Sequence, residues 1–401
     1  MLPRKLRKSL KSVPLAAAAV RNVGLKTNPM KKLLLYLLVL MLGLTVLVWV
    51  RYGGGEPYPD LTTPPIVPED AVEAVLAYPE PIGNLAVSAS GRLFFTVHPE
   101  ARPPGNRLLE YVAGAAVPFP DGASQQTLFD TVLGITIDRQ NRLWTIDHGN
   151  HGFGNVRLLG FDLDTGDVVH DKRFDKTVAP PGSFLQDLQV SFDGRTIVMA
   201  DASFWRKRPA IVVYDVTTAS ARRLLESDPS VAAGDYMIQS QGRNMTFLGG
   251  VLTMRGGIDG IVLDEDWLYF GALNGSALYR IALDDLLDPT LPDSQLATRI
   301  ERYADKPLSD GLSIDVEGNV YVTDVEHNAV FKIGQDREPL TLVRSAQIRW
   351  PDALSFGPDG WLYVADSALS EVVFRSRSHI EANEPYHIFR FRPGATGIPG
   401  R

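Results

Sequence analysis

The chain contains no cysteine. Disulfide stapling, thiolate-held zinc, lipoprotein attachment and cysteine nucleophiles are therefore excluded, and the lack of thiols is harmless in an oxidising compartment without identifying one. Acidic residues are missing from the first 50 positions, which hold nine of the 40 Lys and Arg. The remaining 31 basic residues face all 47 acidic ones, a net of −16 beyond residue 50. An acidic domain repels nucleic acid and favours cations. Nucleophile-elbow, P-loop and dinucleotide signatures are also lacking; GGIDG and GNHGFGN are loop glycines without the required spacing. No organic cofactor is expected.

One long hydrophobic run is present. Leu33 to Val50 is 18 uncharged residues, near the minimum length of a bilayer span. Basic residues precede it, which keeps the N-terminus cytoplasmic and sends the rest across. No small-x-small site precedes Arg51-Tyr52, so the reading is an uncleaved signal anchor over residues 30–52, with a cleaved signal peptide as the alternative. Residues 1–29 read as a basic cytoplasmic tail or an extension ahead of a start at Met30. Residues 53–70, rich in Gly and Pro, read as a tether. The rest would then be periplasmic or extracellular.

Residues 71–401 repeat. GNLAVSASGRLFFT from Gly83, LGITIDRQNRLWTID from Leu133, QDLQVSFDGRTIVMAD from Gln186, DGIVLDEDWLYFG from Asp259, DGLSIDVEGNVYVTD from Asp310 and DALSFGPDGWLYVAD from Asp352 each pair two apolar strands across a turn. Their spacings of 50, 53, 73, 51 and 42 residues are those of propeller blades. A third strand follows each hairpin and a fourth follows all but the last. The surplus strand at Ala71–Tyr78 can complete the last blade and close the ring, leaving no open sheet edge. The predicted fold is all-β: a six-bladed β-propeller after a single N-terminal transmembrane helix. Segments 228–250 and 284–296 are insertions, the second with a short helix from Asp284 to Leu287. Trp144, Trp267 and Trp361 fall on strands and are expected in the core.

Innermost propeller strands all begin at one mouth of the channel, and the second strands end there. Asp259, Asp310 and Asp352 open three consecutive inner strands, with Asp187 shifted by one position behind Gln186. Asp147, Asp201, Asp324 and Asp366 end second strands. Converging carboxylates need a cation, raised pKa values or hydrogen bonds. Oxygen donors suit one hard divalent cation, with Asp259, Asp310 and Asp352 as candidate ligands. Both sets also fit plain turn chemistry, the second set more closely. His148 and His151 leave blade two at the same mouth, and His98 leaves blade one; histidines near acids ligate metals or move protons. Phe204-Trp205-Arg206-Lys207-Arg208 joins an aromatic pair to a basic cluster on the rim, where it could meet an anionic group or a membrane surface.

LGITIDRQNRLWTIDHG, LLGFDLDTGDVV, GSFLQDLQV with VMADAS, AIVVYDV and GIDGIVLDEDWLYFGALNGSALYRI resemble the yellow/major royal jelly protein family, in order over residues 80–393. The resemblance implies a six-bladed propeller. It also implies binding of small ligands such as biogenic amines, or a dopachrome-conversion-like isomerisation. More distantly, the chain is similar to gluconolactonase propellers. Those hold a divalent cation (Ca, Mg or Zn) at the channel through a Glu, an Asn and an Asp, with an Asp as base. By that resemblance Asp259 takes the place of the Asn and Asp310 that of the Asp and catalytic base. Gln186 falls where a substrate-contacting Asn stands. The Glu is replaced by Gly83, beside Asn84, and Asp352 supplies charge instead. Asn84, Gln186, Asp187, His148 and His151 are candidate ligand contacts. The expected function is a membrane-anchored propeller binding a small cationic or aromatic molecule at an acidic mouth. The alternatives are a metal-dependent lactonase or a scaffold using the rim.

Overall fold

The computed structural model describes residues 29–400; the basic tail or extension expected over 1–29 lies almost wholly outside the described residues. The chain divides into two compact units between Arg51 and Tyr52. The apolar run forms one α-helix, Pro29–Tyr52, none of whose residues is buried. By length and composition it can cross a membrane, or serve as a secretion signal. Its proline stands in the first turn, where a missing N–H costs nothing. Thr45 returns its hydroxyl to the Met41 carbonyl at 2.9 Å, so the helix exposes little unpaired polarity.

The second unit is a six-bladed propeller of four-stranded antiparallel sheets. From the channel outwards, blade one holds Ile82–Val87, Leu93–Val97, Leu108–Val112 and Ala115–Pro118. Blade two holds Val132–Ile137, Arg142–Asp147, Arg157–Asp162 and Val168–Arg173. Blade three holds Leu185–Val190, Thr196–Asp201, Ala210–Asp215 and Ser220–Leu224. Blade four holds Ile258–Leu263, Trp267–Ala272, Ala277–Ala282 and Glu301–Asp305, and blade five Leu312–Ile314, Val320–Asp324, Ala329–Ile333 and Pro339–Arg344. Blade six holds Pro351–Phe356, Leu362–Asp366 and Tyr386–Phe391, and its outer strand is Glu73–Tyr78 from the start of the domain. That pairing closes the ring as the surplus strand requires. The core lies between blade faces: Trp144 and Ile146 of blade two, for example, pack with Leu188 and Val190 of blade three.

The inner strands approach so closely that several positions exclude a side chain. A Cβ at Gly134 would stand 2.2 Å from the Gln186 carbonyl oxygen, one at Gly260 2.3 Å from that of Asp310, and one at Gly311 2.3 Å from that of Asp352. The glycines after Asp259 and Asp310 therefore serve strand packing, not a turn; Asp352 is followed by Ala353.

The tether and two of the tryptophans differ from expectation, and one further segment was not anticipated. The tether segment 53–70 is laid along the propeller: Glu56–Pro57 pairs in parallel with Tyr236–Met237, Tyr58 donates its hydroxyl to the Lys306 carbonyl at 3.0 Å, and Val67 N–H reaches the Leu342 carbonyl at 2.7 Å. Its prolines pre-extend the backbone, which lets it pair like a strand. Trp267 and Trp361 are only half-buried, capped by guanidinium groups: Arg280 lies 4.1 Å from the Trp267 ring and Arg390 and Arg392 4.2 Å from that of Trp361. Trp144 alone of the three is fully buried. At the far end of the channel, the C-terminal segment inserts Gly397 against the Phe356 ring and bonds Gly400 to Phe356 and Ile137, which closes that end.

Candidate functional site

The funnel at the open mouth encloses about 720 Å³, counted to its solvent-open rim. Its floor is Gln186, Asp259, Asp310 and Asp352; its wall includes Phe184, Phe204, Trp205, Phe247, Met254 and Phe374; His98, Glu100 and His151 stand on one side. Gln186, Asp259 and Asp352 are the second residues of their inner strands, and Asp310 lies two residues ahead of Leu312–Ile314. In five blades the ladder between first and second strand slips at the equivalent point, between Ile82 and Leu85, Val132 and Ile135, Leu185 and Asp187, Ile258 and Ile261, and Pro351 and Leu354. Such irregularities re-aim side chains, and here they lie beside the channel mouth.

The three aspartates are almost fully buried, with 4 to 7 % of their surface exposed. Burial, then the charge of Asp310, holds Asp259 well above the usual carboxylate range. Gln186 donates an amide N–H to Asp259. Asp310 is pushed by burial to about 7, against the pull of the Trp350 indole, which donates to its Oδ2 at 2.8 Å. Asp352 is also held well above its ordinary range, by burial and then by Asp310 and Asp259. Its Oδ2 is buried with no hydrogen-bond partner. The nearest base is His98, whose Nε2 stands 3.7 Å from that oxygen. His98 Nδ1 accepts the Glu100 N–H at 3.2 Å, so in the neutral ring the proton sits on Nε2, facing Asp352. Burial lowers His98 to about 4, and the ring is neutral at pH 7.

Lys306 was not singled out by the sequence. It is completely buried and donates to Ser309 Oγ at 2.7 Å and the Pro307 carbonyl at 3.0 Å. Burial pushes it down to about 7, while Asp259, Asp324 and Asp310 pull it up. Gly271 makes room for it: a Cβ there would meet Lys306 Cε at 2.5 Å.

The second aspartate set does not reach the funnel floor. Asp147 accepts the N–H groups of Asp130, Thr131 and Gly149 at 2.6 to 2.9 Å. Asp201 pairs with Arg223 at 2.8 Å, Asp324 with His327 at 2.8 Å and Asp366 with Arg349 at 2.7 Å. Asp147 and Asp324 also accept N–H groups two or three residues on, the turn chemistry considered above, whereas Asp201 and Asp366 tie separate loops together. Among the candidate ligand contacts, Gln186 and His151 line the funnel. His151 stacks on Phe184 at 4.6 Å and meets Glu100 at 2.8 Å. His148 is buried behind the wall, its Nδ1 accepting the His151 N–H at 3.0 Å. Asn84 and Asp187 line a separate small polar cavity deeper in the channel, with Gln189 and Gly400.

The expected divalent cation finds a poor donor set. Among the described residues, no three His, Asp or Glu side chains form a metal-holding group. The groups facing the floor carboxylates are N–H donors, from Gln186, Trp350 and His98, with the Lys306 amine behind them. Such a floor suits shared protons or an organic ammonium better than a bare ion that must be ringed by oxygens.

A family model described as major royal jelly protein matches residues 130–355, more than half of the chain. No curated protein sequence matches. Among solved structures, the chain is similar to a luciferin-regenerating enzyme at 13 % identity and TM-score 0.53, over 82 % of this chain and 97 % of that one. It is similar to a putative gluconolactonase at 13 % identity and TM-score 0.50, over 82 % and 93 %. A gluconolactonase from Xanthomonas campestris matches at 14 % identity and TM-score 0.50, over 85 % and 97 %. At such identities these likenesses establish the six-bladed fold alone.

Proposed function

The chain belongs to the major royal jelly protein family, and we propose that it is a binding propeller, anchored outside the cytoplasm by its apolar helix, that takes a small aromatic amine into the funnel. The observation that carries this reading is the buried, unpartnered Oδ2 of Asp352 on a three-carboxylate floor beneath an aromatic wall. A buried acceptor without a donor is uncommon in a folded protein and costs about 1–3 kcal/mol. A ligand ammonium supplies both the missing N–H and the missing charge. Phe184, Phe204 and Trp205 offer ring faces to the ligand's aromatic part and to its cation, the latter contact worth about 0.5–2 kcal/mol.

Because burial raises the proton affinity of the floor carboxylates, an entering ammonium lowers their pKa values and expels protons. Binding should then strengthen with pH up to the amine's own pKa. The test is calorimetry with tyramine and its uncharged alcohol analogue, in buffers of different ionisation enthalpy. Tyramine binding with proton release is expected, with at least tenfold weaker binding of the alcohol. Equal binding of the two overturns the ammonium reading. Stoichiometric Ca²⁺, Mg²⁺ or Zn²⁺ binding lost in Asp310→Ala, with lactone turnover, would favour the metal-dependent hydrolase instead.

A further inference from the structure

Beyond ligand choice, we infer that the rim of the funnel is a lipid-docking surface, seated on a phospholipid bilayer so that the funnel opens at the membrane interface. Among the described residues, two phenylalanines have strongly exposed side chains, Phe153 at 64 % and Phe374 at 59 %, and both stand at this mouth. Phe153 lies two residues beyond His151, and Phe374 lines the funnel. Leu248, 73 % exposed, follows Phe247, whose ring packs on Phe374 at 4.7 Å. The three residues come from the loops of blade two, the 228–250 insertion and blade six, so they spread around the opening.

The backbone argues that these side chains are held out for a purpose. Leu248 has φ 52° and Phe374 φ 57°, the left-handed region that costs a large side chain about 1–3 kcal/mol. Neither recovers that cost by burial within the propeller. Insertion into an apolar layer would recover it at about 25 cal/mol per Å² covered.

The occupant follows from what adjoins the rim. Tyr52, the first residue of the propeller unit, donates its hydroxyl to the Trp205 carbonyl at 2.8 Å and packs edge-on to that indole at 6.0 Å. Lys207 lies 5.4 Å from the Tyr52 ring and 4.5 Å from Phe204. Tyrosine, tryptophan and lysine are the residues of membrane–water interfaces. The chain immediately ahead of Tyr52 is the apolar run. The inference rests on the anchor part of the reading above, not on its ligand.

The absence of cysteine makes the test direct. Single-cysteine variants of the full chain, Phe153→Cys, Leu248→Cys and Phe374→Cys, are labelled with an environment-sensitive fluorophore and reconstituted in phosphatidylcholine liposomes, with and without phosphatidylglycerol. Val316→Cys is the control: it is 62 % exposed but sits in the turn at the closed end, bonded to Thr396. Shallow spin-labelled lipid should quench the three rim labels at least twofold more than the control. Equal quenching at all four positions overturns the docking. So does a rim emission that is unquenched and falls on dilution, which would mean a second copy covers the face. An alkaline wash tests the anchor separately. A chain released by it refutes the anchor, and docking is then scored on that chain with added vesicles at neutral pH, where unquenched rim labels overturn it.

Discussion

Replacing Asp352 by Asn should weaken ligand binding and strengthen the fold, two effects of opposite sign from one change. The folded protein holds Asp352 well above the ordinary carboxylate range, through burial and then through Asp310 and Asp259. The unfolded chain ionises it above about pH 4. Stability contributed by that retained proton is full at low pH and drains as pH rises towards the folded pKa. Asn never ionises, so the variant escapes the drain. A buried polar group left without a partner costs about 1–3 kcal/mol, and the variant, which carries no charge there, should gain about that much at pH 8. An unfolding entropy of about 2.1 cal/mol/K per residue over the propeller unit, Tyr52–Arg401, converts that to a rise in Tm of about 1–4 °C. Calorimetry of the variant should show this rise at pH 8 and none near pH 4. Tyramine should bind more weakly by about 10- to 100-fold, the loss of one charge-assisted hydrogen bond of about 1.5–3 kcal/mol. A variant that is less stable at pH 8 and binds unchanged would refute the account of the floor.

Three further outcomes follow from the same geometry. Trp350→Phe removes the indole donor that lowers Asp310, so the pH midpoint of tyramine binding should move upwards by about half a pH unit or more; an unmoved midpoint counts against Asp310 as a binding group. Gly311→Ala places a Cβ 2.3 Å from the Asp352 carbonyl oxygen and should cost about 2–4 kcal/mol in urea unfolding, because backbone on both sides must shift. Deleting Glu73–Tyr78 leaves the Tyr386–Phe391 edge of blade six unpaired, and light scattering should detect concentration-dependent association through that edge.

The fold was legible because strand bookkeeping is local and repetitive. Six hairpins and one surplus strand leave a single closed arrangement, and Glu73–Tyr78 pairs where that arrangement needs it. The floor was legible for a similar reason: Asp259, Asp310 and Asp352 occupy equivalent places in successive repeats, and equivalent places face the same channel. Lys306, Trp350, Glu100 and Phe247 were not. Each comes from a link or insertion that differs between blades, so no repeat marks it. The ordered course of 53–70 was hidden as well, because a Pro-rich segment looks the same whether solvated or paired along a neighbour.

The glycine constraint joins the fold to the site. Gly260 lets the Asp310 carbonyl approach, and Gly311 does the same for Asp352, so the spacing of the inner strands also sets the spacing of the carboxylates. A propeller that opened slightly at this mouth would relieve the repulsion among them. The interdigitated backbone resists it, and so does blade closure through the outer strand of blade six. Lys306, held by Ser309 and Pro307 behind the floor, offsets part of the charge without entering the funnel. The remaining negative character, with Asp352 Oδ2 unpartnered, is thus kept by the architecture, which is the condition the proposed ammonium ligand requires.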